Sequence, residues 1–448
     1  MALNIKAVER LGIEEVPQSQ RKGSPRQLFS LWWSANLGIP PFLVGLLGPV
    51  LGLGLLPSVL GIIVGNLLAS LLLSATASVS TGYGLAQMPL IRRLFGRKGN
   101  YLPASLNAIS ALGWYVVNTT VGGEAIATVF HTPLIVSFAI MVAIQLVIVY
   151  LGHDLIHRFE RIMAYVQGAL FLALSVSTIG RLSSSHLGHS AISGFSYGPF
   201  LIFVAAVASY SFSWSPYAAD YGRYLPTDTK RSSVFWFTFA GSFLACTWTE
   251  LVGAVAGALG LGNDSPVQIV QSLMGSYAIL AELAIIGGTA TANALNSYTS
   301  TMSLLTLDLP FLRPYVGAAL AAIGGVLAYI SSAHLLSLYI NFLLLISYWI
   351  APWIAIVLLG AYRGRLNGSS TTSFDPAAMV AFVIPLIAIV PFVDTSIYEG
   401  PIAKALNGGD ISYYLGLLLA GAIYWFACGR GNGDHQGDGA SDRVSSVS

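Results

Sequence analysis

Apolar runs close to the length of a membrane crossing recur twelve times along this chain, at 28–53, 57–82, 102–130, 132–151, 159–180, 197–219, 232–260, 277–305, 314–331, 334–359, 377–394 and 411–428. About 20 such residues cross a hydrocarbon layer of roughly 30 Å as a helix. Composition agrees: 55% of the 448 residues are hydrophobic and 9% are charged, against roughly a quarter charged in an ordinary soluble domain. The chain therefore reads as an all-α polytopic membrane protein of 12 transmembrane helices, with the lipid bilayer as its first partner.

Charge placement tests that count. Residues 1–27 are polar, carry Lys6, Arg10, Arg21, Lys22 and Arg26, and lack an apolar core followed by a cleavage site, so they read as a cytosolic segment and not a signal peptide. With that end inside and an even number of spans, every one of the 21 Lys and Arg residues except Arg181 and Lys404 falls on the cytosolic side, as the positive-inside rule requires. Both termini are thus expected in the cytoplasm, and the host is expected to be the plasma membrane. The net charge of +2 is a topological rim, and no nucleic-acid partner is expected. Cys246 and Cys428 fall within spans and offer neither a disulfide framework nor metal-type spacing. Residues 429–448, rich in Gly, Ser and Asp, read as a disordered cytosolic tail.

Two runs are interrupted. The first contains LWWSANLGIPP (31–41), where Gly38 and the pair Pro40–Pro41 disfavour helix and leave backbone groups open. Bare backbone at membrane depth survives only where it is buried in protein or lines a polar cavity. The sixth run carries a second interruption, FSWSPYAADYGRYLP (212–226). Breaks five spans apart predict a five-plus-five inverted repeat with broken first and sixth helices, because an odd number of spans per copy turns the second copy upside down. The repeats are expected over 28–180 and 197–359, with 377–428 outside them. Residues 36–41 and 212–217 are expected to be non-helical and to face each other mid-membrane.

Polar residues inside the spans mark the faces toward a cavity or another helix. Ser110, Trp114 and Asn118 stand at i, i+4, i+8 in the third run, and Thr289, Asn293, Asn296 and Ser300 form a stripe along the eighth. Indole and amide groups together suit a flat heterocycle: aromatic faces sandwich the ring at roughly 1–3 kcal/mol per base, and an asparagine reads its edge as donor and acceptor. Trp114 and Trp214 are the natural stacking pair.

Together WWSANLGIPPFLVGLLGP, GWYVVNTTVGGEA (113–125), SWSPYAADYGRYLP and NALNSYTS resemble the nucleobase-cation symporter family, in its purine-cytosine permease branch. The resemblance implies a leucine-transporter-like fold and import of a nucleobase or related heterocycle by cation symport. It implies Trp114 and Trp214 as aromatic walls, Asn118 and Asn296 as base-edge partners with Asn293 beside them, and Asn36, Gly38 and Ser213 at the two breaks. Sodium-coupled members of that family bind the ion with hydroxyls of the eighth helix and first-helix carbonyls. This chain has IIGGTATAN there (285–293), with Thr289 as the hydroxyl on offer. A proton is therefore the expected coupling ion, with Glu124 the first candidate carrier and Glu250 the second. The alternative is a sodium-coupled carrier of hydantoin, allantoin or thiamine.

A membrane metal enzyme is the reading from another class. His153 and His157 stand at i, i+4 and His186 and His189 form a second pair, but the topology puts the pairs on opposite sides of the membrane. No phosphate-loop motif G-x-x-x-x-G-K-[ST] occurs. Neither enzymatic activity, cofactor nor metal is expected. Asp220 and Arg223 read as charges at the cytosolic end of the sixth span.

Overall fold

A computed structural model describes residues 12–150, 153–185, 187–262, 264–308, 313–368 and 372–428, with the side chains of 148–150, 153–158, 160–161 and 313–314 outside the description. The expected disordered tail at 429–448 lies outside the described residues, as do the side chains of His153 and His157 and the whole of His186.

The twelve runs become twelve helical spans. The first is Arg26–Asn36 plus Ile39–Val50, followed by Leu55–Ser80, Tyr101–Phe130, Leu134–Tyr150 and His153–Ser184. The sixth joins Tyr197–Phe212 to Ala218–Gly222, and Arg231–Ala256, Ala278–Leu305, Arg313–Ser331, Leu335–Tyr362, Pro376–Ala388 and Ser412–Ala427 complete the set. The third and fourth turn by 118° at His131, which takes the left-handed conformation (φ 51°) just before Pro133. The ninth and tenth are separated by a 3-10 turn at Ser332–His334. Their combined length, roughly 70 Å at 1.5 Å per residue, is twice what one crossing needs.

Small and polar residues face inward and large apolar ones face lipid, as membrane helix packing favours. On the second span Leu60, Val64, Leu67 and Leu71 are exposed, while Ser58, Gly61, Gly65, Asn66 and Ala69 are buried. The first and seventh spans approach most closely at two glycines. A Cβ at Gly45 would lie 1.8 Å from the carbonyl oxygen of Glu250, and one at Gly253 would lie 1.9 Å from that of Phe42.

Packing repeats with a period of five spans. The first packs on the seventh as the sixth packs on the second, the third packs on the ninth as the eighth packs on the fourth, and the second–seventh and third–eighth contacts are their own images. Spans one, two, six and seven thus form one group and spans three, four, eight and nine another, as a five-plus-five inverted repeat requires.

The breaks differ from expectation in extent. In the first span only Leu37 (φ −87°, ψ 90°) and Gly38 (φ −169°, ψ 176°) leave the helix, and the halves meet at 57°. Pro40 and Pro41 do not break the chain; they stand in the first turn of the second half-helix, where their missing N–H groups have no intrahelical partner to lose. Nor are the carbonyls around the break left bare: Asn36 O accepts from Thr249 Oγ1 (3.3 Å) and Pro40 O from Tyr339 OH (3.0 Å). In the sixth span Ser213 and Trp214 keep right-handed helical angles and Ser215–Tyr217 tighten into a 3-10 turn, so that interruption is a tightening and not an unwinding. Pro216 and the helix hydrogen bonds it cannot make account for it.

Residues 12–25 lie against the protein. Val16 is fully buried and its N–H donates to Gly84 O (2.8 Å), Arg21 donates to Val16 O (2.8 Å) and Gly82 O (2.9 Å), and Gly23 N–H reaches Tyr224 O (3.0 Å). Gly84 has φ +67°, and a Cβ there would lie 2.0 Å from Arg21 Nη2, so only glycine fits under the guanidinium.

Candidate functional site

The two groups of spans enclose a cavity beside the first-span break. Its volume is about 40 Å³, room for a few waters, so a planar ring enters only if the walls part. Gly38 lines it, and a Cβ there would meet only Pro40 Cδ, at 3.6 Å.

Trp114 and Trp214 both line the cavity, in separate aromatic clusters. Trp114 meets Tyr210, Tyr339 and Phe342 edge-on at centroid distances of 5.3, 6.0 and 5.1 Å. Trp214 meets Trp32 at 5.8 Å and Tyr217 at 5.3 Å. Edge-to-face packing of this kind fixes ring orientation.

Asn118 lines the cavity, donates Nδ2 to Trp114 O (2.9 Å) and has no partner for Oδ1. Asn296 also lines it, but both ends of its amide are engaged: Nδ2 donates to Asn293 Oδ1 (3.2 Å) and Oδ1 accepts from Tyr217 OH (3.4 Å). Three other candidates stand off the cavity wall. Asn293 faces the third span, donating to Tyr115 O (2.9 Å) and Thr119 Oγ1 (3.0 Å). Ser213 donates to Tyr210 O in its own helix (2.7 Å). Asn36 bridges the two interrupted spans, donating to Trp32 O (2.7 Å) and accepting from Trp214 Nε1 (3.0 Å). The two breaks do face each other, through this bond.

Asn36→Ala should therefore destabilise the fold by ~1–3 kcal/mol, the usual penalty for a buried donor left unpaired, read as a lower thermal midpoint of the purified protein. An unchanged midpoint would mean that the indole finds another partner.

The ion candidates separate as well. Thr289 lines the cavity, and its hydroxyl donates to Ile285 O (2.8 Å) and Ile286 O (3.2 Å) of its own helix. Glu124 is half-buried, with Oε2 unpartnered, and is not among the wall residues. Glu250 is fully buried on the seventh span. Its Oε2 accepts from Asn66 Nδ2 (2.5 Å), Asn66 Oδ1 accepts from Ser211 Oγ (2.5 Å), and Oε1 has no partner. Ser211 follows the cavity wall Tyr210 in sequence, and the main-chain carbonyl of Glu250 lies against Gly45 of the broken first span, so Glu250 connects to the site through residues distant in sequence.

One further wall residue escaped the sequence reading. Gln167 of the fifth span lines the cavity; Nε2 donates to Ala284 O (2.8 Å) and Oε1 has no partner. A lone glutamine in an apolar run was its signal, since such a side chain needs a partner. Asp220, at the end of the sixth span, is in addition a buried tie: Oδ1 accepts from Gln87 N–H (2.7 Å) and Oδ2 from Thr299 Oγ1 (2.7 Å), and Gln87 Oε1 accepts from Ala219 N–H (3.0 Å).

Residues 15–416 match the family model described as permease for cytosine/purines, uracil, thiamine, allantoin. The chain belongs to this permease family. Among curated permeases, the putative purine-cytosine permease YxlA of Bacillus subtilis is 31% identical over 439 residues, covering 93% of this chain and 95% of that protein. Purine-cytosine permease fcyB of Emericella nidulans is 24% identical, with 93% and 87% covered. Among solved structures, Mhp1, a nucleobase-cation-symport-1 family transporter in a closed conformation with bromovinylhydantoin bound, superposes with a TM-score of 0.76 at 18% identity, covering 94% of this permease and 95% of Mhp1. That likeness carries the fold: a leucine-transporter-like, twelve-helix multi-pass membrane protein. Among the described residues of the permease no three His, Cys, Asp or Glu side chains converge as a metal site would require.

Proposed function

We propose that the chain is a secondary active transporter that imports a nucleobase or a closely related heterocycle by cation symport. The observation that carries this is the cavity at the first-span break, bounded by Trp114 and Trp214 and edged by the unpartnered Oδ1 of Asn118, in a member of a cytosine and purine permease family. Indole faces stack on a planar ring and an amide oxygen accepts from its edge. Transport follows alternating access, with the walls parting on one side at a time. Both termini are assigned to the cytosol on the sorting of Lys and Arg.

The coupling ion in this reading is a proton. Hard cations need converging oxygen ligands. In the eighth span Gly287 and Gly288 bring no hydroxyl, and the amide nitrogen of Gln167 lies against Gly288, where a Cβ would be 1.6 Å from Nε2. An N–H group there opposes a cation. Glu250 replaces Glu124 as first candidate for the carrier, because Asn66 ties its carboxylate to Ser211, next to the cavity wall Tyr210, and its main chain packs on Gly45 of the broken helix.

Two measurements test the reading. In proteoliposomes, unlabelled cytosine, adenine, hypoxanthine, uracil, hydantoin, allantoin and thiamine compete against radiolabelled cytosine or adenine. One or more nucleobases should compete at micromolar concentration, and uptake indifferent to all of them would refute the assignment. Asn118→Ala should weaken apparent affinity five- to hundredfold, the ~1–3 kcal/mol of an unmade buried hydrogen bond, with an unchanged yield of folded protein. Wild-type kinetics in that variant would reduce Asn118 to packing.

A further inference from the structure

We infer that Gln167 accepts an N–H from the substrate opposite Asn118, so that the transporter selects free heterocycles carrying N–H donors on two separate edges. This deepens the nucleobase reading above and rests on it.

Gln167 and Asn118 are each 3% exposed, and both are cavity walls built in the same way. In each the amide nitrogen donates to a main-chain carbonyl, Ala284 O for Gln167 and Trp114 O for Asn118. That bond fixes which end of the amide is which. The oxygen at the other end, Oε1 of Gln167 and Oδ1 of Asn118, is buried with no partner. Buried polar groups are paired in nearly all cases, and an exception at a binding cavity calls for a ligand.

The two oxygens belong to different flanks of the eighth span. Thr289 packs on the third span, where a Cβ at Gly122 would lie 2.5 Å from its hydroxyl, while its neighbour Gly288 packs on Gln167 of the fifth. Consecutive helical residues point about 100° apart, so Asn118 and Gln167 approach the cavity from either side of that helix. One donor group on a ligand cannot serve both.

Five other polar residues of the wall, Ser34, Thr289, Thr291, Trp214 and Asn296, direct hydrogens into the protein. The hydroxyls of Ser34, Thr289 and Thr291 donate to carbonyls of their own helices, and the indole of Trp214 donates to Asn36. The buried polar atoms of the wall left without a partner are the two amide acceptors. A ligand carbonyl or bare ring nitrogen set against either oxygen would bring lone pair to lone pair in a dry site. A ring N–H or an exocyclic amino group would pair with it. Free nucleobases carry such donors on two edges; alkylation at nitrogen, as in nucleosides and N-methylated bases, removes one.

The test is equilibrium binding of radiolabelled cytosine and adenine to the purified full-length protein, with competition by 1-methylcytosine, N4,N4-dimethylcytosine, 9-methyladenine and N6,N6-dimethyladenine. In the wild type, methylation of either donor edge should weaken binding by about tenfold or more. Gln167→Met, which preserves length and bulk, should weaken the unmodified base about tenfold. It should also bring the methyl penalty on one edge to within about twofold while leaving the other intact. Asn118→Ala should do the reverse. Gln167→Glu keeps an acceptor in place and should keep both penalties, which provides a second readout if the Met variant folds poorly. A Gln167→Met protein that loses affinity equally for every compound, or for none, overturns the inference and makes Gln167 a packing residue. Loss of a sodium dependence without change in base selectivity also overturns it, by assigning the oxygens to a cation. If the wild type binds neither cytosine nor adenine, the nucleobase reading fails first and takes this inference with it.

Discussion

Gly45→Val and Gly253→Val are each expected to leave almost no folded transporter in the membrane, whereas Gly180→Ala should be indistinguishable from wild type. At the first two positions even a Cβ would lie within 2 Å of a carbonyl oxygen, of Glu250 and Phe42 respectively, while at Gly180 nothing lies within 4 Å. Overpacking an ordinary core costs about 1–3 kcal/mol because side chains can shift. Here the obstacle is helix backbone, so relief requires parting the first and seventh spans, and the penalty should exceed the ~4–5 kcal/mol that marks an exceptional substitution. Yield of monodisperse protein after detergent extraction, with the thermal midpoint of whatever survives, measures the effect. A folded Gly253→Val protein with a normal midpoint would mean that the two spans do not pack as described.

Glu250→Gln is expected to abolish proton-driven accumulation while leaving exchange of labelled for unlabelled base across the membrane. The variant retains an acceptor for Asn66 and the same volume, so the Asn66–Ser211 chain and the fold should persist. It cannot take up or release a proton. Wild-type uptake should rise as the outside is made more acid than the inside, and the variant should show no such slope, with accumulation falling at least tenfold. Glu124→Gln should have the smaller effect, since Glu124 Oε2 has no hydrogen-bond partner, whereas the Glu250 carboxylate is tied through Asn66 to Ser211, next to the cavity wall Tyr210. A Glu250→Gln protein that still concentrates substrate against a gradient would remove the glutamate from coupling.

The fold was largely legible because the membrane imposes one rule on every segment: apolar for about 20 residues. The eighth run, read as 277–305, is helical over Ala278–Leu305, and the second, read as 57–82, over Leu55–Ser80. The eleventh was overextended, since Pro385 and Pro391 let the helix end at Ala388 before a 3-10 turn at Val390–Phe392. The breaks were legible in place but not in kind. A proline in the first turn of a helix and one that tightens a helix look alike in sequence, so Pro40–Pro41 were credited with a disruption that belongs to Leu37 and Gly38.

The site was legible to the extent that helical spacing identifies a face. Spacing put Trp114 and Asn118 on one face and Thr289, Asn293 and Asn296 in one stripe, but a polar stripe can meet a neighbouring helix as well as a cavity. Asn293 and Asn296 are three residues apart, yet one ties the eighth span to the third and the other reaches the cavity. The Asn66–Glu250 bond joins residues 184 apart in sequence, and no local pattern encodes it. Gln167 could have been flagged as an isolated amide in an apolar run, but its partners Ala284 and Gly288 lie on another span.

The central claim is coupled nucleobase transport, and its most direct test is accumulation in sodium-free proteoliposomes containing only this protein. With choline replacing sodium and the outside made acid, labelled cytosine or adenine should concentrate inside severalfold above equilibrium and drain when a protonophore collapses the gradient. Empty vesicles should show neither behaviour. Accumulation that appears only with sodium, and ignores the proton gradient, would contradict the coupling assigned here. Failure to accumulate any base under either gradient would contradict the account as a whole.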